Sequence, residues 1–249
     1  MPHSFSLLPL LILIPLIGAG LIVVLPHRQT STIRAVALSA TFLPLVLALY
    51  FFISYNASAG GFQFTMRLSW IPSLGISYHA GLDGIGVVMV LLHAILSFSG
   101  ALVSRSIGKN VRLYFIFYLI LVASIFGVFT SLDLFFLYLF YEMAVIPLYP
   151  LIGIWGSQNR DYAAMKLTLY ISLGAVIALV GLLSLYFASG LKTFDLVELS
   201  HSQKALVVLA PPEVQPFRPE NSGRENYMST TTSIAEFKLH PTMIGPGCP

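Results

Sequence analysis

In a chain of 249 residues, apolar side chains make up 57 % and charged ones only 9 %, whereas about a quarter of the residues in a soluble domain are charged. The first 189 positions hold eight basic and four acidic residues, too few to cover a soluble surface, which excludes a soluble enzyme. The net charge of +3 is too small and dispersed for nucleic-acid binding. The lone cysteine, Cys248, makes no internal bridge and excludes a disulfide scaffold. What remains is an all-α, multi-pass membrane protein embedded in a lipid bilayer.

Residues 1–6 carry no lysine or arginine, and the apolar run 7–25 is too long for the hydrophobic region of a signal peptide. It reads as the first of about six membrane spans, at residues 6–25, 35–55, 82–103, 113–130, 134–155 and 163–188. Each is close to the roughly 20 residues that cross a bilayer core. Each must be helical, because backbone polar groups in lipid need partners within the segment. Arg28 and Arg34 join the first two runs, Arg105, Lys109 and Arg112 the third and fourth, and Arg160 and Lys166 the fifth and sixth. The opposite connections carry only Arg67, Lys192 and Lys204. The positive-inside rule then sets the basic junctions in the cytoplasm and the N-terminus outside, with residue 190 outside as well.

Between the second and third runs, Phe62, Phe64, Met66, Leu68 and Trp70 alternate with Gln63, Thr65, Arg67 and Ser69, the period of a half-buried strand. Pro72-Ser73-Leu74-Gly75 is a turn signal, and Ile76-Ser77-Tyr78 can return as a second strand. A small hairpin on the outer face is expected; an irregular loop is the other reading.

The transmembrane domain is thus residues 1–189, followed by a post-span segment at 190–210. Residues 211–249, rich in Pro, Ser, Thr and Glu, lack the apolar content to offset ordering entropy and are expected to be disordered. An apolar run that begins at 204–210 and breaks into unrelated polar sequence reads as a chain truncated or out of frame after about residue 209.

Glu142 stands near the middle of the fifth run, where a carboxylate costs roughly 2.5–3.5 kcal/mol on insertion scales. The Leu, Ile, Phe and Val residues around it return roughly 4–7 kcal/mol, so the helix inserts despite the acid. Two roles fit. One is a protonated glutamate making a single interhelical hydrogen bond. The other is a carboxylate that exchanges protons, or pairs with a buried lysine, along an ion path. Pro147 and Pro150 would free the carbonyls of Met143 and Ile146 one turn away, giving water something to bind. Lys166, about a turn inside the sixth run, either snorkels to the surface or supplies an ion-path charge. His93, mid-span in the third run, is a weaker candidate for proton relay, against a neutral histidine bonded to a neighbouring helix. Asp83 and Asp133 stand at span ends, where helix capping accounts for them.

Residues 139–156, which read Leu-Phe-Tyr-Glu-Met-Ala-Val-Ile-Pro-Leu-Tyr-Pro-Leu-Ile-Gly-Ile-Trp-Gly, resemble the fifth-helix signature of the subunit M family of bacterial NADH-quinone oxidoreductase, respiratory complex I. Arg160-Asp161-Tyr162-Ala163-Ala164-Met165-Lys166, with Leu169, Tyr170 and Gly174, is similar to the start of that family's sixth helix. Trp70-Ile71-Pro72, Gly75-Ile76, Gly81-Leu82-Asp83-Gly84 and Phe194-Asp195-Leu196 are similar to its outer hairpin, third-helix start and post-helix-six element. The resemblance covers about residues 1–205. It implies an antiporter-like, proton-translocating subunit of the bacterial inner membrane, partnered by other membrane-arm subunits. It also implies that NADH, FMN, iron–sulfur clusters and quinone are held elsewhere in the complex, with no cofactor in this chain. Glu142 matches the family's essential glutamate, which works with a lysine on helix seven, and Lys166 matches a lysine early in helix six. Tyr141 stands where the family often has Trp, and the family's fourteen or so helices exceed the six runs here, so the helix-seven lysine has no counterpart. The alternatives are a subunit of a multisubunit cation/proton antiporter or a membrane-bound hydrogenase, or a truncated, non-transporting structural membrane protein.

Overall fold

A computed structural model describes residues 7–200 except Pro72, Leu74 and Lys192. The expected polar tail at 211–249 and the apolar run before it lie outside the described residues. Six long helices follow the six apolar runs: α1 (Leu10–Val24), α2 (Thr30–Ser54), α3 (Gly84–Val103), α4 (Val111–Thr130), α5 (Leu134–Trp155) and α6 (Arg160–Ser189), with a short α7 (Leu196–Ser200) after them. A 3₁₀ turn, Ser104–Ser106, ends α3.

Five of these, α2 to α6, are long and apolar enough to cross a membrane. The first is not as expected. Pro9 occupies the N-cap of α1 in helical conformation, and the regular helix covers 15 residues. At 1.5 Å per residue it is about 22 Å long, short of the ~30 Å core. It is nonetheless built into the bundle, with Leu11 and Ile22 fully buried. A side chain on Gly18 would meet the Ala40 Cβ at 2.5 Å, so α1 and α2 approach closely through small residues, as lipid-embedded helices commonly do.

The hairpin forms from β1 (Gln63–Ile71) and β2 (Ile76–Leu82). The strands are antiparallel, pairing Met66 with Ala80, Leu68 with Tyr78 and Ile71 with Ile76. Gly75 takes the turn at φ +68°, a conformation that side chains disfavour. β1 runs one residue later than the alternation at 62–70 predicts. β2 continues past the expected Ile76-Ser77-Tyr78, because Ala80 and Leu82, fully buried, extend the second strand into the core. Leu68 and Trp70 remain more than half exposed, so the apolar face of β1 is only partly covered. The hairpin is continued by two connectors. The α4–α5 connector pairs with β2 at Ala80–Ser131, and with the segment before α7 at Asp133–Asp195.

Two apolar clusters fill the bundle. One joins Leu8, Leu11, Phe51, Leu82, Val90, Val122 and Phe126 beneath the hairpin. The other joins Ala19, Ile22, Ile33, Ala40, Phe115 and Leu119 toward the opposite end. Helices α5 and α6 pack at the margin: Pro147 is the buried residue of α5, and Ala164, Ala175 and Ser189 those of α6.

Candidate functional site

Helix α5 runs unbroken from Leu134 to Trp155 through both Pro147 and Pro150. A proline has no N–H to donate to the carbonyl four residues back, so the helix passes both sites without those two bonds. Glu142 lies between the capped N-terminus and these prolines. Its Oε1 is buried and has no hydrogen-bond partner. The Tyr138 side chain, one turn earlier on the same helix, interacts with the carboxylate. Leaving a carboxylate oxygen buried and unmet is costly, and a water or a second side chain would relieve it.

Lys166 does not meet Glu142. It projects from an exposed face of α6, its Nζ 5.7 Å from the centre of the Tyr162 ring and 5.9 Å from that of Tyr170. Such cation–π contacts, one turn to either side, satisfy an ammonium in place of a carboxylate. Helices α5 and α6 run antiparallel from the connector at 156–159. Their 1.5 Å rise therefore puts Glu142 about 20 Å and Lys166 about 9 Å from that end. His93 on α3 packs edge-on against Phe126, with ring centres 4.5 Å apart, and its Nε2 donates to the Val122 carbonyl of α4 at 3.1 Å. That bond selects the Nε2–H tautomer when the ring is neutral. The three candidates thus sit on three helices, and no ion pair connects them among the described residues.

At the hairpin end, Asp133 caps α5. Its Oδ1 accepts from the N–H groups of Phe135 at 2.9 Å and Phe136 at 3.3 Å. Its Oδ2 accepts from the Ser77 N–H at 3.2 Å. Burial holds this carboxyl above the usual carboxylate range, the three N–H donors pull the other way, and the nearby Asp195 charge adds to the rise. Burial likewise pushes the Tyr78 hydroxyl up to about 12, against a hydrogen bond with Thr130. Asp83 caps α3 by accepting from the Gly86 N–H at 2.7 Å.

Asp195 was not singled out as a functional residue by sequence reasoning, yet it organises this end. It is 1 % exposed and accepts from His79 Nδ1 at 2.8 Å. Arg67 bridges Asp195 at 3.6 Å and Glu198 at 2.9 Å. Asp195 Oδ1 also accepts from the Val197 N–H at 2.9 Å. An acid immediately before a short apolar helix is a capping signal, and only that part was readable.

The other end is basic. Arg34 donates to the Ile107 carbonyl at 2.9 Å, Arg112 to the carbonyls of Ile22 and Val23, and Trp155 Nε1 to the Lys109 carbonyl at 2.7 Å. These bonds gather the connectors at 25–29, 104–110 and 156–159 on one side of the bundle, opposite the hairpin.

Residues 131–210, which include α5 and α6, match the family described as NADH:quinone oxidoreductase/Mrp antiporter, transmembrane. The chain is 35 % identical over 200 residues to NAD(P)H-quinone oxidoreductase chain 4-2 of Synechocystis sp., covering 80 % of this chain and 36 % of the relative. It is 34 % identical over 172 residues to NADH-quinone oxidoreductase subunit M of Rickettsia bellii, covering 69 % and 34 %. Its fold is similar to a chain of respiratory complex I from Thermus thermophilus, with TM-score 0.66, 28 % identity and coverage of 78 % and 39 %. A chain of the Mrp complex from Dietzia sp. is similar too, with TM-score 0.67, 25 % identity and coverage of 81 % and 38 %. The chain therefore spans just over a third of the length of the curated relatives it matches. On sequence and fold together, residues 131–210 match the NADH:quinone oxidoreductase/Mrp antiporter transmembrane family, and the chain as a whole is similar to part of the membrane subunits of NADH-quinone oxidoreductases and Mrp complexes.

Proposed function

We propose that this chain supplies the fifth-helix carboxylate of a proton-translocating subunit in the membrane arm of an NADH-quinone oxidoreductase. The observation that carries this reading is the Glu142 Oε1, buried without a partner in the middle of an apolar helix. The Tyr138 side chain, one turn away on the same helix, meets the carboxyl group, and Oε1 remains an open position. Here a proton, a water or the side chain of another helix can complete it. The proline-freed carbonyls one turn away offer water further acceptors. In this reading, NADH oxidation and quinone reduction take place on cofactors held by other subunits, and this chain handles the proton alone. Lys166 serves as a neighbouring path charge and His93 as a lesser relay. The basic end faces the cytoplasm and the hairpin the outside of a bacterial inner membrane, in keeping with the cations gathered on one side.

Glu142→Gln tests the assignment in the assembled complex. NADH-driven proton pumping should fall to a small fraction of wild type while the abundance of the complex is unchanged, and Glu142→Asp should keep part of it. Wild-type pumping by the Gln variant at normal abundance would overturn the role. A second reading, the equivalent subunit of a cation/proton antiporter, is favoured by the likeness to the Mrp complex chain. It predicts cation-dependent proton exchange that needs no NADH, with the same loss in Glu142→Gln.

A further inference from the structure

The basic end of the bundle contains a cavity that the proton-handling reading does not use. Arg34 on α2 and Arg105 in the 3₁₀ turn line a space of about 390 Å³ together with Ser31, Ala35 and Leu38. Arg34 is fixed in place by its Nη2 bond to the Ile107 carbonyl, so its guanidinium reaches from α2 to the α3–α4 connector. Its Nε is buried and lacks a hydrogen-bond partner. Arg105 is exposed. Neither guanidinium forms an ion pair with a carboxylate among the described residues, whose ion pairs all lie at the hairpin end. The first turn of α2 adds to the positive character. It carries no acidic residue and no side-chain cap, so its N–H groups and the helix dipole favour an anion there.

Two guanidiniums without a counter-charge, a hydroxyl and an open helix start form a receptor for phosphate oxygens. We propose that this cavity binds a phosphate-bearing anion, namely the headgroup of an anionic phospholipid. Its setting favours a lipid over free phosphate. It lies where α2 and α3 reach the membrane boundary, and basic pockets between helices at that depth suit anionic headgroups. Leu38 in the cavity wall is followed one turn later by Phe42, which packs against Phe98 of α3 with ring centres 5.6 Å apart. Phe42 is 50 % exposed and Val103, beside Arg105, 77 %. An apolar seam therefore leads from the cavity along α2 and α3, the course an acyl chain would take from a headgroup held there.

The test titrates the purified 249-residue chain in a neutral detergent with dioleoylphosphatidylglycerol, dioleoylphosphatidylcholine or inorganic phosphate, counting bound species by native mass spectrometry. Phosphatidylglycerol should be retained at lower concentration than phosphatidylcholine. Arg34→Gln and Arg105→Gln should each weaken its retention by roughly tenfold, the loss of about one charge-assisted contact. Arg28→Gln, the same charge change in the exposed α1–α2 connector, should shift it by less than about twofold if long-range attraction alone is altered. Saturable phosphate binding lost in both cavity variants, with phosphatidylglycerol held no better than phosphatidylcholine, would overturn the lipid assignment in favour of free phosphate. Equal retention of the two lipids without phosphate binding, or equal losses in all three variants, would overturn the site itself. Arg34→Gln also removes the bond to Ile107. If that variant does not fold, Arg105→Gln, whose side chain makes no internal hydrogen bond among the described residues, decides the outcome.

Discussion

Two carboxylates on one helix show how surroundings assign roles to residues of the same chemistry. Asp133 accepts three backbone N–H groups and is fully buried, so its removal orphans a cap and the Ser77 N–H together. Asp133→Ala should destabilise the chain by about 2–4 kcal/mol, combining a lost N-cap with a buried unmet donor, measured by denaturant unfolding in detergent. Glu142 has no such partners. Glu142→Gln should change stability by less than about 1 kcal/mol, and a larger loss would expose a structural role for the carboxylate. Asp133 also links stability to pH. Burial raises the Asp133 carboxyl above its unfolded value, so the folded state holds that proton more tightly than the unfolded state. The resulting stability is complete below the ordinary carboxylate range and is lost as pH rises through the raised folded value. Asp133→Asn should remove this part of the pH dependence, read as a flatter unfolding midpoint across mildly acidic pH.

At the level of elements, the apolar runs announce their helices because each is long and almost free of charge, and the alternation at 62–70 announces a strand. The α1 boundary is less legible, because Pro9 caps a helix that hydropathy alone would start at residue 6. The joining of β2, the α4–α5 connector and the pre-α7 segment was not legible at all. Its bonds, such as Leu132 N–H to the His79 carbonyl at 2.7 Å and Leu196 N–H to the Leu132 carbonyl at 2.9 Å, link stretches with no shared periodicity. His79 and Asp195 lie 116 positions apart. Glu142 was readable as an acid in an apolar run, but the burial of one of its oxygens depends on a rotamer that no pattern records. The α4–α5 contact gives a direct check on packing. A Cβ on Gly127 would enter the Phe140 ring at its attachment point, where the side chain has little room to give. Gly127→Ala should therefore cost about 1–3 kcal/mol by overpacking, and Gly127→Ala combined with Phe140→Leu should recover part of it. Equal losses in the single and double variants would show that α5 does not pack there as described.

For the whole molecule, α1 to α4 and the hairpin enclose both apolar clusters, while α5 and α6 present broad faces outward. Ile146 is 71 % exposed, Leu169 66 % and Phe187 75 %. A bilayer does not penalise such faces, and either lipid or further helices of a subunit or complex can cover them. The two ends of the bundle differ in charge, so reporter fusions at Lys109 and Gly190 should report opposite sides of the membrane, with the Lys109 fusion cytoplasmic; reversal of the two signals would invert the proposed orientation. Proton movement makes a stronger demand. A carboxylate carries protons across a membrane only if groups on both sides accept and release them in turn, and a nearby cation must favour each change. The closest candidate, Lys166, stands about 10 Å from Glu142 along the helix axis by rise alone, and it is occupied by Tyr162 and Tyr170 on an outward face. No ion pair or hydrogen bond between described residues bridges that gap. The 249-residue chain reconstituted alone in liposomes should therefore show proton flux equal to that of empty vesicles under an imposed pH gradient, and Glu142→Gln should leave it unchanged. Flux above that background that disappears in Glu142→Gln would mean that these six helices already hold a continuous path, one completed by water at the open Glu142 oxygen rather than by a second charge.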